Sequence, residues 1–87
     1  MPLVSKKLMV NNKQGLHARP AALFVQVANK YDSRVTVKKD SEEVNGKSIM
    51  GILMLAAEKG TEIIVEADGE DAAIAIEELE KVLNLKE

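Results

Sequence analysis

The chain has 87 residues, which is enough for one small domain with a single core. Its 12 basic and 14 acidic residues give a formal net charge of −2, and its aromatic residues are one Phe and one Tyr, so neither direct nucleic-acid binding nor base stacking is expected. Because there is no cysteine and a single histidine, we expect no disulfide, no metal site and no cofactor.

The N-terminal residues lack the pattern of a signal peptide, and no apolar segment reaches the length needed to cross a membrane. The absence of cysteine also suits a reducing compartment. We therefore expect a cytoplasmic protein that does not insert into membranes.

The first predicted elements are a strand and a helix. Residues 3–10 alternate apolar and polar side chains, as a half-buried strand does. The apolar positions that share one face are Val4, Leu8 and Val10. A turn-forming cluster follows at 11–15, and apolar residues then recur at helical spacing over 18–30, with Pro20 tolerated in the opening turn.

The middle of the chain predicts a hairpin and a short helix. Residues 34–38 alternate again and are joined by a tight turn at 39–42 to a short strand at 43–45. An apolar run over 49–57 follows Ser48 and ends near a lysine and a glycine, which is typical of a helix with an N-cap and a glycine stop.

The last predicted elements are a strand over 61–68 and a helix that Asp71 opens and that runs to Leu85, with Gly69 between them. The order β-α-β-β-α-β-α predicts an α+β fold in a single domain over 1–87. In this open-faced sandwich, three helices cover one face of a four-stranded antiparallel sheet. The residues predicted on the uncovered face are Lys7, Thr36, Lys38, Glu62 and Glu66.

The only histidine, His17, lies directly before the first predicted helix, in the segment 15–20. Helix starts attract anions, because their first N–H groups lack helical partners and the helix dipole is positive there. The amides of Ala18 and Arg19 and the charge of Arg19 are therefore predicted to hold a phosphoryl group on the histidine ring. The alternative, an ordinary helix-start histidine, is disfavoured because a glycine, an arginine and a proline all stand where an anion site needs them. A hydrolase is not indicated, since no second histidine or cysteine is present.

The second predicted helix is apolar nearly all round, so it cannot bury every side against a sheet. The residues predicted to face the sheet are Ile52, Leu55 and Ala56. The residues then left toward solvent, as an apolar patch for partner proteins, are Ile49, Met50 and Leu53. The alternative that these side chains pack under the first helix stays open at this point.

Four segments, 15–21, 47–51, 60–62 and 69–71, together resemble the HPr family, the histidine-containing phosphocarriers of the phosphoenolpyruvate-dependent sugar phosphotransferase system. The resemblance covers essentially the whole chain. It implies that His17 accepts a phosphoryl group at Nδ1 from phosphorylated enzyme I and donates it to sugar-specific IIA domains, with help from Arg19. Such a protein is a covalent carrier and not a turnover enzyme.

The same resemblance implies further partners and a second modified residue. The partner-binding patch would include Ala22 and Leu23 with the exposed residues of the second helix. The segment 47–51 is similar to that of HPr proteins regulated by an HPr kinase/phosphorylase, which implies phosphorylation at Ser48 and binding of a catabolite-control transcription regulator to the phosphorylated form. By itself, Ser48 has a simpler explanation as the N-cap of the helix.

Two other functions remain as alternatives. One is a purely regulatory HPr-like co-repressor or binding module, whose relatives retain the serine patch and lack the active histidine; the presence of His17 separates it from a carrier. The other is a nitrogen-branch carrier of similar fold, which the segment 47–51 disfavours.

Overall fold

The seven elements follow in the order β-α-β-β-α-β-α, as the sequence predicts. The computed structural model describes residues 2–86. Its elements are β1 (Leu3–Met9), α1 (Ala18–Ala28), β2 (Arg34–Lys39), β3 (Glu42–Asn45), α2 (Ile49–Met54), β4 (Glu62–Asp68) and α3 (Ala72–Leu83).

The four strands form one antiparallel sheet in the order β1-β4-β2-β3. The last strand, β4, lies between the first two, with Leu8 opposite Ile63 on one side and Val37 opposite Val65 on the other. Since all four of these side chains are buried, the central strands carry the core. The fold predicted from the sequence, an open-faced α+β sandwich, is confirmed.

The two faces of the sheet differ as the alternation predicts. The helices supply buried apolar side chains over one face, among them Phe24, Ile52, Leu79 and Leu83. The other face carries the five predicted polar residues, whose strand register places them together opposite the helices. Lys38 and Glu66 form an ion pair there, with nitrogen and oxygen 3.2 Å apart.

Helix α2 is shorter than predicted and ends at Met54, not at residue 57. Ala56 takes a positive φ of 50°, a backbone conformation that cannot continue a right-handed helix. The prediction that Ala56 faces the sheet is therefore wrong: Ala56 is exposed, and Ala57 takes the buried position. The Nζ of Lys39 lies 2.8 Å from the carbonyl oxygen of Leu55 and caps this early end.

The other helices also end a little earlier than predicted. Helix α1 ends at Ala28 because Asn29 begins a tighter turn, in which the amide of Lys30 donates to the carbonyl of Val27. Helix α3 ends at Leu83, and its C-cap residue is Asn84.

Candidate functional site

His17 is the N-cap residue of α1, with extended backbone angles (φ −82°, ψ −170°). The first helical hydrogen bond follows at once, with the Ala21 amide nitrogen 2.9 Å from the His17 carbonyl oxygen. Within residues 2–86 the imidazole forms no capping bond, so it does not take the place that a serine or aspartate usually fills at a helix start. The start of α1 is thus left open to an anion.

The two nitrogens of the imidazole ring lie in different environments. Nε2 is buried and has no hydrogen-bond partner among residues 2–86, although the side chain as a whole is partly exposed. A group arriving from solvent cannot reach Nε2 without moving the ring. Nε2 is therefore the enclosed nitrogen of the ring, and Nδ1 is not among the buried unpaired atoms of residues 2–86.

The surroundings of His17 favour an anion. The ring, Ala18 and Arg19 line a shallow depression together with Lys13 and Gln14. In the described part of the chain, the first turn of the eleven-residue α1 contains no acidic side chain to oppose the positive end of the helix dipole. Lys13 and Arg19 add two cations to the same depression.

Lys13 was not predicted as a site residue. Its only signal in the sequence is a positive charge in the turn before the histidine. A lysine in a turn is usually solvated, and its place beside the imidazole depends on how the turn folds back.

The turn before His17 requires the glycine at position 15. Gly15 has a φ of +77°, and a Cβ there would lie 2.5 Å from the carbonyl oxygen of Ala57. The neighbouring Leu16 amide donates to that same carbonyl at 2.9 Å. The histidine loop, residues 11–17, therefore packs closely against the segment that follows α2.

This packing brings α2 next to the histidine. A second depression is lined by His17 and Leu53, together with Gln14, Leu16, Ala56, Ala57 and Glu58. His17 and one residue of the predicted patch, Leu53, therefore line the same depression. Ala56 and Ala57, which follow the end of α2, line it as well.

The apolar patch on α2 is exposed. Ile49, Met50 and Leu53 all reach solvent, and Met50 is 65% exposed, so the alternative of packing under the first helix is wrong. Met54, which the sequence pattern did not assign to the patch, is 72% exposed and extends it.

On α1, Ala22 and Leu23 are half-buried. Neither of them lines the two depressions at His17.

Ser48 is the N-cap of α2, and its hydroxyl oxygen accepts a hydrogen bond from the Gly51 amide at 3.0 Å. The capping role is therefore present. The side chain is only half-buried and stands at the edge of the exposed patch. The neighbouring Lys47 reaches away from it, with Nζ 2.7 Å from the carbonyl oxygen of Tyr31.

A perturbed carboxylate lies elsewhere in the fold. Asp71 accepts hydrogen bonds from the hydroxyl of Ser33 and from the amides of Asp32 and Ser33. These bonds, the one from the Ser33 hydroxyl first, hold the pKa of Asp71 below its usual value. Because Asp71 is already satisfied by this loop, its role is to join the loop to the start of α3.

Residues 2–86 contain neither a candidate metal site nor a candidate membrane-spanning helix. No three or more His, Cys, Asp or Glu side chains are grouped so that they could hold a metal ion. No helix in this part of the chain is both long and apolar enough to cross a membrane.

The fold and the site define a class of protein: an open-faced α+β sandwich that presents a histidine at the start of its first helix. The family model described as "PTS HPr component phosphorylation site" matches residues 4–84. The chain therefore belongs to the HPr phosphocarrier family of the phosphotransferase system.

Individual relatives support this assignment. The chain is 46% identical over 82 residues to the phosphocarrier protein HPr of Neisseria meningitidis, covering 94% of this chain and 92% of that protein. It is 52% identical over 77 residues to the HPr-like protein Crh of Bacillus subtilis, covering 88% of this chain and 91% of that protein. The crystal structure of HPr from Bacillus anthracis superposes with a TM-score of 0.89 at 46% identity, over 92% of this chain and 95% of that chain.

Proposed function

We propose that His17 accepts a phosphoryl group from phosphorylated enzyme I and passes it to sugar-specific IIA domains, so that the protein acts as a covalent relay. In the first transfer the Nδ1 lone pair attacks phosphorus, and the bond from phosphorus to enzyme I breaks as the P–N bond forms. In the second transfer a nucleophile of the IIA domain attacks phosphorus, and the P–N bond breaks and returns the lone pair to Nδ1. The observation that carries the proposal is the uncapped start of α1, where His17 opens onto a depression with two cations.

The strength with which this site holds a phosphoryl group suits a carrier. The amides of Ala18 and Arg19 and the charges of Arg19 and Lys13 each favour a dianion, at about 0.3–1 kcal/mol per interaction in an exposed setting. The depression is shallow and open, so no single interaction is strong. A group held in this way can be passed on to the next protein.

Partner proteins dock on the apolar surface beside the histidine. Ile49, Met50 and Leu53 supply it, and Ala22 and Leu23 contribute their exposed parts from α1. Since Leu53 and His17 line one depression, a partner that covers the patch brings its own phosphoryl donor or acceptor to the ring. An apolar centre surrounded by polar residues is the usual anatomy of a docking surface.

Ser48 is the regulatory site, phosphorylated by an HPr kinase/phosphorylase that uses ATP. A phosphoserine carries about −1.5 to −2 charges, which a helix start tolerates, so the change alters docking more than folding. At the edge of the patch it repels acidic partners and recruits a catabolite-control transcription regulator. The partial exposure of Ser48 at that edge supports this assignment.

A purely regulatory protein is the second candidate, and the 52% identity to the HPr-like protein Crh favours it. Both candidates use Ser48 and the patch. They differ at His17, which only a carrier needs.

The two modifications are tested separately. Incubation with phosphoenolpyruvate and enzyme I gives an acid-labile adduct that mass spectrometry under neutral conditions maps to His17 and that is absent from His17→Ala. ATP and the kinase give an acid-stable adduct on Ser48, which is absent from Ser48→Ala and present in Ser41→Ala, a control hydroxyl in the exposed β2–β3 turn. An unmodified His17 with a modified Ser48 would instead establish the regulatory protein.

A further inference from the structure

The loop that carries His17 is fastened to the far end of the chain through a buried asparagine. Asn12 is 0% exposed, and its Nδ2 lies 2.9 Å from the carbonyl oxygen of Val82 and 3.1 Å from that of Leu85. The bond to Val82 joins residues 70 positions apart in sequence. Val82 lies in the last turn of α3, and Leu85 lies two residues beyond the end of that helix.

The geometry fixes which way the Asn12 amide points. Nδ2 has two N–H donors and both carbonyls are acceptors, whereas a flipped amide would set its oxygen against two other oxygens. Oδ1 is buried and has no partner among residues 2–86. The two bonds to α3 therefore hold this side chain in one orientation.

Asn12 also forms the turn that leads to the histidine. Its backbone carbonyl accepts from the Gly15 amide at 3.0 Å, and this bond closes the turn over residues 12–15. Leu16, the next residue, is buried and bonded to Ala57, and His17 follows directly. One residue thus fastens the turn to α3 with its side chain and sets the course of the turn with its carbonyl.

We propose that Asn12 is a positioning residue for phosphoryl transfer: by locking the turn to the end of α3, it holds the His17 ring at the start of α1 with Nε2 inward and Nδ1 available. This inference rests on the proposed carrier function. Its hydrogen bonds go to Val82, Leu85 and Gly15 and not to the ring, so it acts through the turn. The docking patch on α2 does not depend on it.

The variant Asn12→Ala removes both bonds to α3, and Asn84→Ala is the matched control. Asn84 lies at the same helix end and accepts from Asn11 Nδ2 at 2.6 Å, but it forms no part of the turn. At a temperature where circular dichroism shows both variants folded, Asn12→Ala lowers kcat for phosphorylation by enzyme I about tenfold or more. KM stays within about twofold, because the docking surface is intact. Asn84→Ala keeps the wild-type kcat.

A second variant separates positioning from folding. Asn12→Ser keeps one hydroxyl donor and should recover part of the lost kcat. If Asn12→Ala is too unstable to assay, Asn12→Ser is assayed in its place. Unchanged kcat in the folded Asn12 variants, or an equal loss in Asn84→Ala, overturns the proposal.

The unphosphorylated protein gives an independent readout. The nitrogen-15 resonances of the single imidazole shift in the Asn12 variants and not in Asn84→Ala; identical ring resonances in all proteins would also overturn the inference. If enzyme I does not phosphorylate wild-type His17, the proposed function fails. The nitrogen-15 resonances of the ring still decide whether Asn12 positions it.

Discussion

Met50 tests the proposed docking surface most cleanly, because its side chain is 65% exposed in the unbound protein. Full burial of a methionine side chain is worth about 1.5–3 kcal/mol. A partner that covers the exposed part therefore gains about 1–2 kcal/mol from it, and Met50→Ala should weaken binding of enzyme I about 5- to 30-fold. Since only the smaller, buried part contributes to folding, the free energy of unfolding should fall by no more than about 1 kcal/mol.

Two isoleucine-to-alanine variants serve as controls for Met50→Ala. Ile52, in the same helix, is 0% exposed, so Ile52→Ala should lose about 2–5 kcal/mol of stability. Ile74 on α3 is 52% exposed and lies outside the patch, so Ile74→Ala should change neither property much. Titration calorimetry gives the affinity and urea denaturation the stability. An unchanged affinity in Met50→Ala would show that Met50 is not part of the docking surface, and a stability loss like that of Ile52→Ala would show that it belongs to the core.

Three further predictions follow from single contacts. Ser48→Ala removes the capping bond to Gly51 and should cost about 0.5–2 kcal/mol in urea denaturation, whereas Ser48→Asp keeps a capping oxygen and most of the stability; equal losses would contradict the capping role. The hydrogen bond from the Ser33 hydroxyl and those from two backbone amides hold the pKa of Asp71 below the ordinary aspartate value of 3.8. The stability that these bonds give is therefore fully present above that pH and is lost as the pH falls below it. Asp71→Asn should therefore flatten the acid limb of the stability curve, and an unaltered limb would argue against it. Gly15→Ala should destabilise by more than about 1 kcal/mol, because φ is +77° and the new Cβ would meet a carbonyl oxygen at 2.5 Å; wild-type stability would show that the loop relaxes.

Local patterns were sufficient for the element order and for the two faces of the sheet. Alternation placed Leu8 and Val10 inward and Lys7 outward, because a strand has a period of two whatever its neighbours are. The same reasoning failed at Ala56. Nothing in an apolar run shows that an alanine will take a positive φ, and that choice depends on the packing of the histidine loop against residues 57 and 58.

The histidine and its helix start were visible in the sequence because all their parts lie within a few residues of one another. Lys13, Asn12 and Met54 were missed for different reasons. Lys13 lies beside His17 only once the turn has folded. Asn12 is bonded to a helix end about 70 residues away in the sequence. The exposure of Met54 depends on where α2 ends, which the apolar run did not reveal.

The proposed carrier function requires that Nδ1 of His17 carries the phosphoryl group. Since the chain has one histidine, nitrogen-15 labelling of that residue type gives the resonances of a single ring, and they can be followed while phosphoenolpyruvate and enzyme I are present. Coupling to phosphorus-31 should appear on Nδ1, and Nε2, which is buried, should show none of comparable size. Coupling on Nε2, or a ring that stays unmodified while the active enzyme I is phosphorylated, would contradict it.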